Sequence, residues 1–211
     1  MEHDETGALL VELSASLFAR GFSSGSAGNI SVKVPGGYLM TPTRSSFGRL
    51  DPARLSLLDA DWNLIVGDPP SREVVMHRPM YQARPEAGAI VYLHSVYVTA
   101  LSCLPRGEGP LIPPLTPFSV ASLGRDVPGV PYYRPADPAM NDDILAAGAR
   151  GAAVVLTNHG SLVAGKTLLD AVNAAEELEV FGETRLPGAR TRRPRAHRGA
   201  DRRRAAALSV R

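Results

Sequence analysis

Hydrophobic positions near the start of the chain fall three and four residues apart: Leu9, Leu10, Leu13, Leu17 and Phe18. That spacing predicts an amphipathic helix, and Gly21 just beyond it can supply a left-handed cap. The small-residue run SSGSAGNISVKV passes into an alternating pattern, and GGYLMTPT repeats it after a glycine turn, so two short strands are expected. LSLLDADWNLIVGD reads as a further hairpin turning at Asp59–Trp62, and REVVMHRPMYQARP as a helix stopped near Pro85. AGAIVYLHS is apolar enough for a buried strand, and VYVTALSCL follows as a helix ended by Pro105. Residues 105–138, rich in proline and glycine, are expected to form long ordered loops. PAMNDDILAAGARG returns to helical spacing. AAVVLTNHG reads as a buried strand, and TLLDAVNAAEELEVFG as a final amphipathic helix. Helices interleaved with hairpins imply an α/β fold, layered, with a mixed or antiparallel sheet between helices.

Near Glu183 the pattern stops. ETRLPGARTRRPRAHRGADRRRAAALSVR has almost no large apolar residue and no period. The expected organisation is therefore one domain over residues 1–182 and a basic tail over 183–211. Residues 185–211 hold ten arginines against one aspartate, a net +9; with +2 for the whole chain, residues 1–184 carry −7. A solvated, disordered tail is the plain reading. An arm for nucleic acid or an anionic surface is the lesser alternative, because interleaved aromatics are missing. A shifted reading frame would also explain a change in mid-helix.

The remaining composition narrows the class without naming a chemistry. A chain of 211 residues with 44% hydrophobic and 21% charged residues suits one soluble globular domain. Its longest apolar runs are too short for a membrane span, and the acidic start MEHDETGALLVEL lacks the basic region of a signal peptide. The lone Cys103 excludes an internal disulfide, fits a reducing cytoplasm, and is expected to be a buried small apolar residue.

Four clusters carry possible chemistry. In Gly25–Ser31, glycines and small hydroxyl residues let backbone N–H groups approach an anion, with Asn29 and Ser31 as further donors; an ordinary turn fits equally. Thr41–Ser46 is hydroxyl-rich and follows a strand. Ser71 is placed to cap a helix, and Glu73 either favours the helix dipole or, facing a pocket, serves as an acid/base group. His77, one turn later, reads as structural or exposed rather than ligating. His94 and His159 both follow apolar strands, and neighbouring strand ends about 4.8 Å apart can converge two imidazoles on one metal. Tyr92 shares the strand face of His94. At this level His94 remains a ligand, a base or a core histidine.

Taken in order, SGSAGNISVK, LMTPT, SREVVMH, VYLHS and LTNHG resemble the class II aldolase/adducin family, which includes L-fuculose-phosphate aldolase; the likeness spans residues 5–182. Within it, GSAGNIS, TPTRSSFGRLDPARLSLLD and VPYYRPADP look most like the 3-oxo-tetronate 4-phosphate decarboxylases. The resemblance implies a central, mainly antiparallel sheet flanked by helices, and a homotetramer with sites between subunits. It also implies a divalent metal, usually Zn2+, and a phosphorylated sugar acid or sugar phosphate as substrate. By the same resemblance Asn29, Thr43 and Ser71 contact the substrate phosphate, Glu73 is the catalytic acid/base, and His94 and His159 bind the metal. Two positions depart from the family pattern. Tyr92 stands where the first histidine of a His-x-His pair is expected, and its phenolate is a doubtful third ligand, being longer than imidazole. Arg44 replaces a glycine of the phosphate loop; Arg72 is a milder change. The activities implied are decarboxylation to dihydroxyacetone phosphate, aldol cleavage of a sugar phosphate, or a degenerate member without turnover.

Overall fold

The computed structural model describes residues 2–104, 111–112 and 116–186. The arginine-rich run 187–211, and residues 105–110 and 113–115 of the proline-rich segment, lie outside the described residues, so the expectations for them stand where the sequence left them. The chain runs α1 (Glu2–Ala19), β1 (Asn29–Val34), β2 (Gly37–Met40), β3 (Ser56–Asp59), β4 (Leu64–Val66), α2 (Val74–Ala83) and β5 (Ala89–Leu93). It continues with α3 (Val96–Ser102), α4 (Pro117–Leu123), β6 (Gly129–Val130), α5 (Asn141–Arg150), β7 (Ala153–Leu156), β8 (Gly160–Gly165) and α6 (Leu168–Arg185).

The eight strands form one sheet in the order β4-β3-β2-β1-β5-β8-β7-β6. Neighbours are antiparallel except β6 and β7, where α5 supplies the crossover that a parallel pair needs. Side chains along a strand alternate between faces, and β5 shows what each face meets. Ala89, Val91 and Leu93 pack into a core with Leu10 and Leu17 of α1, Val98 of α3 and Leu178 of α6. Ile90 and Tyr92 pack on the other face with Met76 and Met80 of α2 and Ile144 of α5. Three layers result, the mainly antiparallel sheet flanked by helices that the sequence implies.

Several local readings change. Gly160–Gly165 is a further strand that the sequence reading does not name. Its composition hides it: Gly160 crosses so close to β5 that a Cβ would lie 2.1 Å from the Leu93 carbonyl, and Gly165 is pressed as tightly against the start of α6. Within the proline-rich segment, α4 and β6 are regular elements where loops are expected; Leu123 holds α4 in the core. Cys103 is exposed rather than buried. It follows the last turn of α3, whose inward positions are taken by Leu101 and Ser102. Finally, α6 runs past 182 to Arg185, and Leu186 packs against the core.

Candidate active site

Strand register gathers the candidate residues at one end of the sheet. Asn29 opens β1 opposite Tyr92 of β5, and Leu93 pairs with Ser161 of β8. Met40, the last residue of β2, lies opposite Ser31. The turn after β2, His94 after β5 and His159 before β8 therefore leave the sheet together. The start of α2 is tied to the same end: Ser71 N–H donates to the Thr41 carbonyl (3.3 Å) and Thr43 N–H to that of Pro69 (2.9 Å). These bonds carry Thr43 and Ser71 to the site. Arg44, exposed on this turn, adopts φ 57°.

Asn29 reaches its place through a loop that needs glycine. Gly28 has φ 81°, and a Cβ there would lie 2.8 Å from the Tyr92 carbonyl, so the loop crosses the end of β5 only without a side chain. The Asn29 amide nitrogen donates to Glu73 Oε2, and Ser71 Oγ donates to the same oxygen at 3.3 Å. Ser71 does not cap α2. Its hydroxyl accepts from Glu73 N–H (3.3 Å) in a local turn, and Glu73 itself occupies the N-cap position. One turn on, His77 is fully buried, with Nε2 2.5 Å from Asn29 Oδ1 and Nδ1 2.7 Å from Ser31 Oγ. Tyr81, a further turn along, donates its hydroxyl to the Ser31 carbonyl (3.1 Å). Burial pushes the His77 pKa down to about 3, which keeps the ring neutral. Both its nitrogens are engaged, so it is structural and not a ligand.

The histidine side is built differently. The His94 and His159 rings lie 6.4 Å apart, centroid to centroid. His159 Nε2–H donates to the Tyr133 carbonyl (2.8 Å), leaving Nδ1 for a ligand, and Tyr132 stacks on the ring at 5.7 Å. Burial is the main influence on His94 and lowers its pKa; the Glu73 charge and a hydrogen bond to the His159 backbone act against it. The turn that follows His94 is anchored from α6. Buried Glu179 accepts from Ser95 Oγ (2.7 Å), Tyr97 N–H (2.7 Å) and Val98 N–H (2.9 Å), satisfying the start of α3. Tyr92 has no exposed surface, meets His94 edge-on at 4.9 Å, and leaves its hydroxyl without a hydrogen-bond partner. Burial, reinforced by the Glu73 charge, raises the phenol's pKa and keeps it protonated. Glu73, Tyr92, His159 and Tyr133 line one cleft, closed by Met76, Met140 and Pro131.

Among the described residues no group of three His, Cys, Asp or Glu side chains gathers as a metal site. Two imidazoles at neighbouring strand ends fit a divalent cation in type and placement; the third donor is not an imidazole. Sequence reasoning missed the parts played by Ser31, Tyr81 and the Tyr133 carbonyl. The signal for the first two was periodic: Glu73, His77 and Tyr81 are each four residues apart and share one face of α2.

A strand-end cluster with a carboxylate on one side and paired histidines on the other, over a mainly antiparallel three-layer sheet, defines a class. Residues 8–186 match the class II aldolase and adducin N-terminal domain, and the chain belongs to that family. It is 46% identical over 173 residues to the 3-oxo-tetronate 4-phosphate decarboxylase of Haemophilus influenzae, covering 81% of this chain and 82% of that one. It is 29% identical over 186 residues to the L-fuculose phosphate aldolase of Escherichia coli, covering 88% and 85%. Its fold superimposes on the crystal structure of YgbL from Escherichia coli with a TM-score of 0.83 at 41% identity, over 87% of this chain and 89% of that one.

Proposed function

We propose that this chain is a carbon–carbon lyase that decarboxylates a 3-oxo-tetronate 4-phosphate, giving dihydroxyacetone phosphate and CO2. The observation that carries the reading is the carboxylate of Glu73, held on one oxygen by Asn29 and Ser71 and facing a cleft shared with His159 and Tyr92. The much higher identity to a decarboxylase than to an aldolase supports the choice of reaction.

In such a substrate the C3 ketone lies β to the C1 carboxylate. Breaking C1–C2 releases CO2 and leaves the electron pair as an enolate across C2 and C3. Glu73, in its acid form, returns a proton to C2 through Oε1, the oxygen not taken up by Asn29 and Ser71. Asn29 keeps a second amide hydrogen for the substrate anion, and with Thr43 and Ser71 it holds the phosphate, so that the breaking bond is fixed against the cleft. His94 and His159 would hold a divalent cation, zinc in the first instance. Bound there, it supplies Lewis-acid stabilisation of the charge that develops on the ketone. Tyr92 borders that position as a phenol. The orphaned hydroxyl also favours a second reading, in which the chain binds its ligand without turnover. A homotetramer with sites between subunits, working in the cytoplasm, completes the proposal; sedimentation of the purified chain tests the assembly.

The experiment is direct. Purified protein, supplied with Zn2+ and a 3-oxo-tetronate 4-phosphate, is expected to release CO2 and dihydroxyacetone phosphate in equal amounts. Release of an aldehyde from a sugar phosphate instead would make it an aldolase. No turnover of either, by protein that carries its metal, would leave the binding-only reading.

A further inference from the structure

The hydrogen bonds around His77 have a direction, and that direction decides what Asn29 shows to the site. Tyr81 commits its proton to the Ser31 carbonyl at 3.1 Å. The Glu73 carboxylate can only accept, so Asn29 turns its amide nitrogen to Glu73 and its Oδ1 to His77. The Ser31 hydroxyl, 3.2 Å from Tyr81 Oη and 2.7 Å from His77 Nδ1, donates to the nearer Nδ1, which makes His77 the tautomer with hydrogen on Nε2. That hydrogen faces Asn29 Oδ1 at 2.5 Å, and the amide nitrogen of Asn29 is left facing Glu73. With the opposite tautomer, the His77 Nε2 lone pair would draw the amide nitrogen toward itself. The Asn29 carbonyl would then point at the Glu73 carboxylate and at any anionic substrate, two acceptors against one.

We infer that His77 is a positioning residue: through the Ser31–His77–Asn29 chain it fixes the Asn29 amide so that only N–H groups face Glu73 and the substrate anion. It touches no substrate and acts wholly through Asn29. The inference rests on the reading of Asn29 and Glu73 as the working pair, but the relay itself exists without substrate. Nothing in the amino-acid pattern assigns His77 this part. Its burial in the layer between sheet and α2 excludes solvent, so no water can substitute for the imidazole as donor.

Two near-isosteric substitutions separate positioning from packing. In His77→Gln the side-chain amide reaches the place of Nε2 and can still donate to Asn29. In His77→Asn it reaches only the place of Nδ1, toward Ser31. Both keep a polar group in the same cavity, and thermal melting shows whether each folds. His77→Asn is expected to lower kcat about 100-fold, the cost of misplacing a reacting group, with His77→Gln recovering most of it. Equal loss in both folded variants overturns the inference in favour of simple packing.

A second readout needs no turnover. Nitrogen-15 NMR of the wild-type protein should show His77 neutral, with its proton on Nε2, and a distinct, hydrogen-bonded Asn29 side-chain amide that persists in His77→Gln and is lost in His77→Asn. A proton on Nδ1 instead, or an Asn29 amide indifferent to both substitutions, overturns the inference. Wild-type protein that passes this spectroscopic test yet releases no CO2 would refute the proposed reaction and leave the relay intact.

Discussion

The two sides of the cleft are finished to different degrees. On the β1/α2 side the groups that set the site are tied to one another within the chain: Ser71 and Asn29 on Glu73, His77 between Asn29 and Ser31, Tyr81 on Ser31. On the β5/β8 side the phenol of Tyr92 has no partner, and His159 keeps Nδ1 clear of the bond that orients its ring. Buried polar groups left unpartnered are costly, so a chain keeps them where something else is meant to complete them or where a substitution has removed what did. The first side is preorganised by the protein; the second waits on what enters.

The largest effects should come from the finished side. Glu73→Gln removes the proposed proton donor but keeps an acceptor oxygen near Asn29, so kcat should fall about 10³-fold with little change in KM. Steady-state kinetics of decarboxylation decide it, and an unaltered kcat would take Glu73 out of the chemistry. The same side should also be acid-sensitive. His77 is depressed to about 3 when folded, whereas an unfolded histidine titrates near 6.5. Between those values the unfolded chain binds a proton that the folded chain refuses, so stability falls as the pH drops below 6.5. From pH 6.5 to 4.5 the loss attributable to His77 is about 2 kcal/mol. Urea unfolding at the two pH values measures the loss, and His77→Gln should remove most of it.

On the open side, stability depends on anchors that come from elsewhere in the fold. Glu179 is the main one, holding the turn just after His94 by three hydrogen bonds from a helix remote in sequence. Glu179→Ala leaves Ser95 and two backbone N–H groups unsatisfied at the start of α3 and should cost about 2–3 kcal/mol. Chemical denaturation reads that directly. If the comparison of the two sides is right, His94 placement suffers with it and metal affinity falls, while the Asn29 amide signal stays unchanged.

How much of this the sequence showed depends on whether the cause was local. Helices α1, α2 and α6 and the β1–β2 hairpin announce themselves through spacing and glycine turns, and the family motifs name Asn29, Glu73, His94 and His159. β8 escaped because what makes Gly160–Gly165 a strand is close approach to β5 and α6, which small residues permit but do not advertise. Ser71 reads as a helix cap by type, yet the chain turns one step earlier and gives its hydroxyl to Glu73. The role of His77 and the orphaned state of Tyr92 are properties of burial and partners, and a single sequence records neither.

Tyr92 tests the open side at lower cost. If its hydroxyl is unpartnered in solution, Tyr92→Phe removes a buried unsatisfied group at nearly constant volume and should stabilise the protein by about 1 kcal/mol, raising Tm by about 2–4 °C. Should it instead serve a bound cation, the same variant loses both stability and metal content. Tyr92→His supplies the imidazole missing from the set and should raise zinc affinity at least about 10-fold, measured by competition with a chelator.

The smallest effect is expected at Arg44, on the rim of the finished side. Its φ of 57° lies in the left-handed region, which costs a residue with a Cβ about 1–2 kcal/mol. The turn holds it there: Thr43 N–H is tied to Pro69, Ser45 Oγ to the Pro42 carbonyl at 2.7 Å, and Pro42 and Pro70 form a bridge. Glycine adopts this conformation freely, although it gains entropy when unfolded, so Arg44→Gly should net about 1 kcal/mol and raise Tm by about 2–4 °C. The kinetic arm is the sharper one. A turn already fixed by its own bonds should leave kcat unchanged in the glycine variant. A rise in KM alone would show that the exposed guanidinium reaches the substrate phosphate, and that the finished side too is completed in part by its ligand.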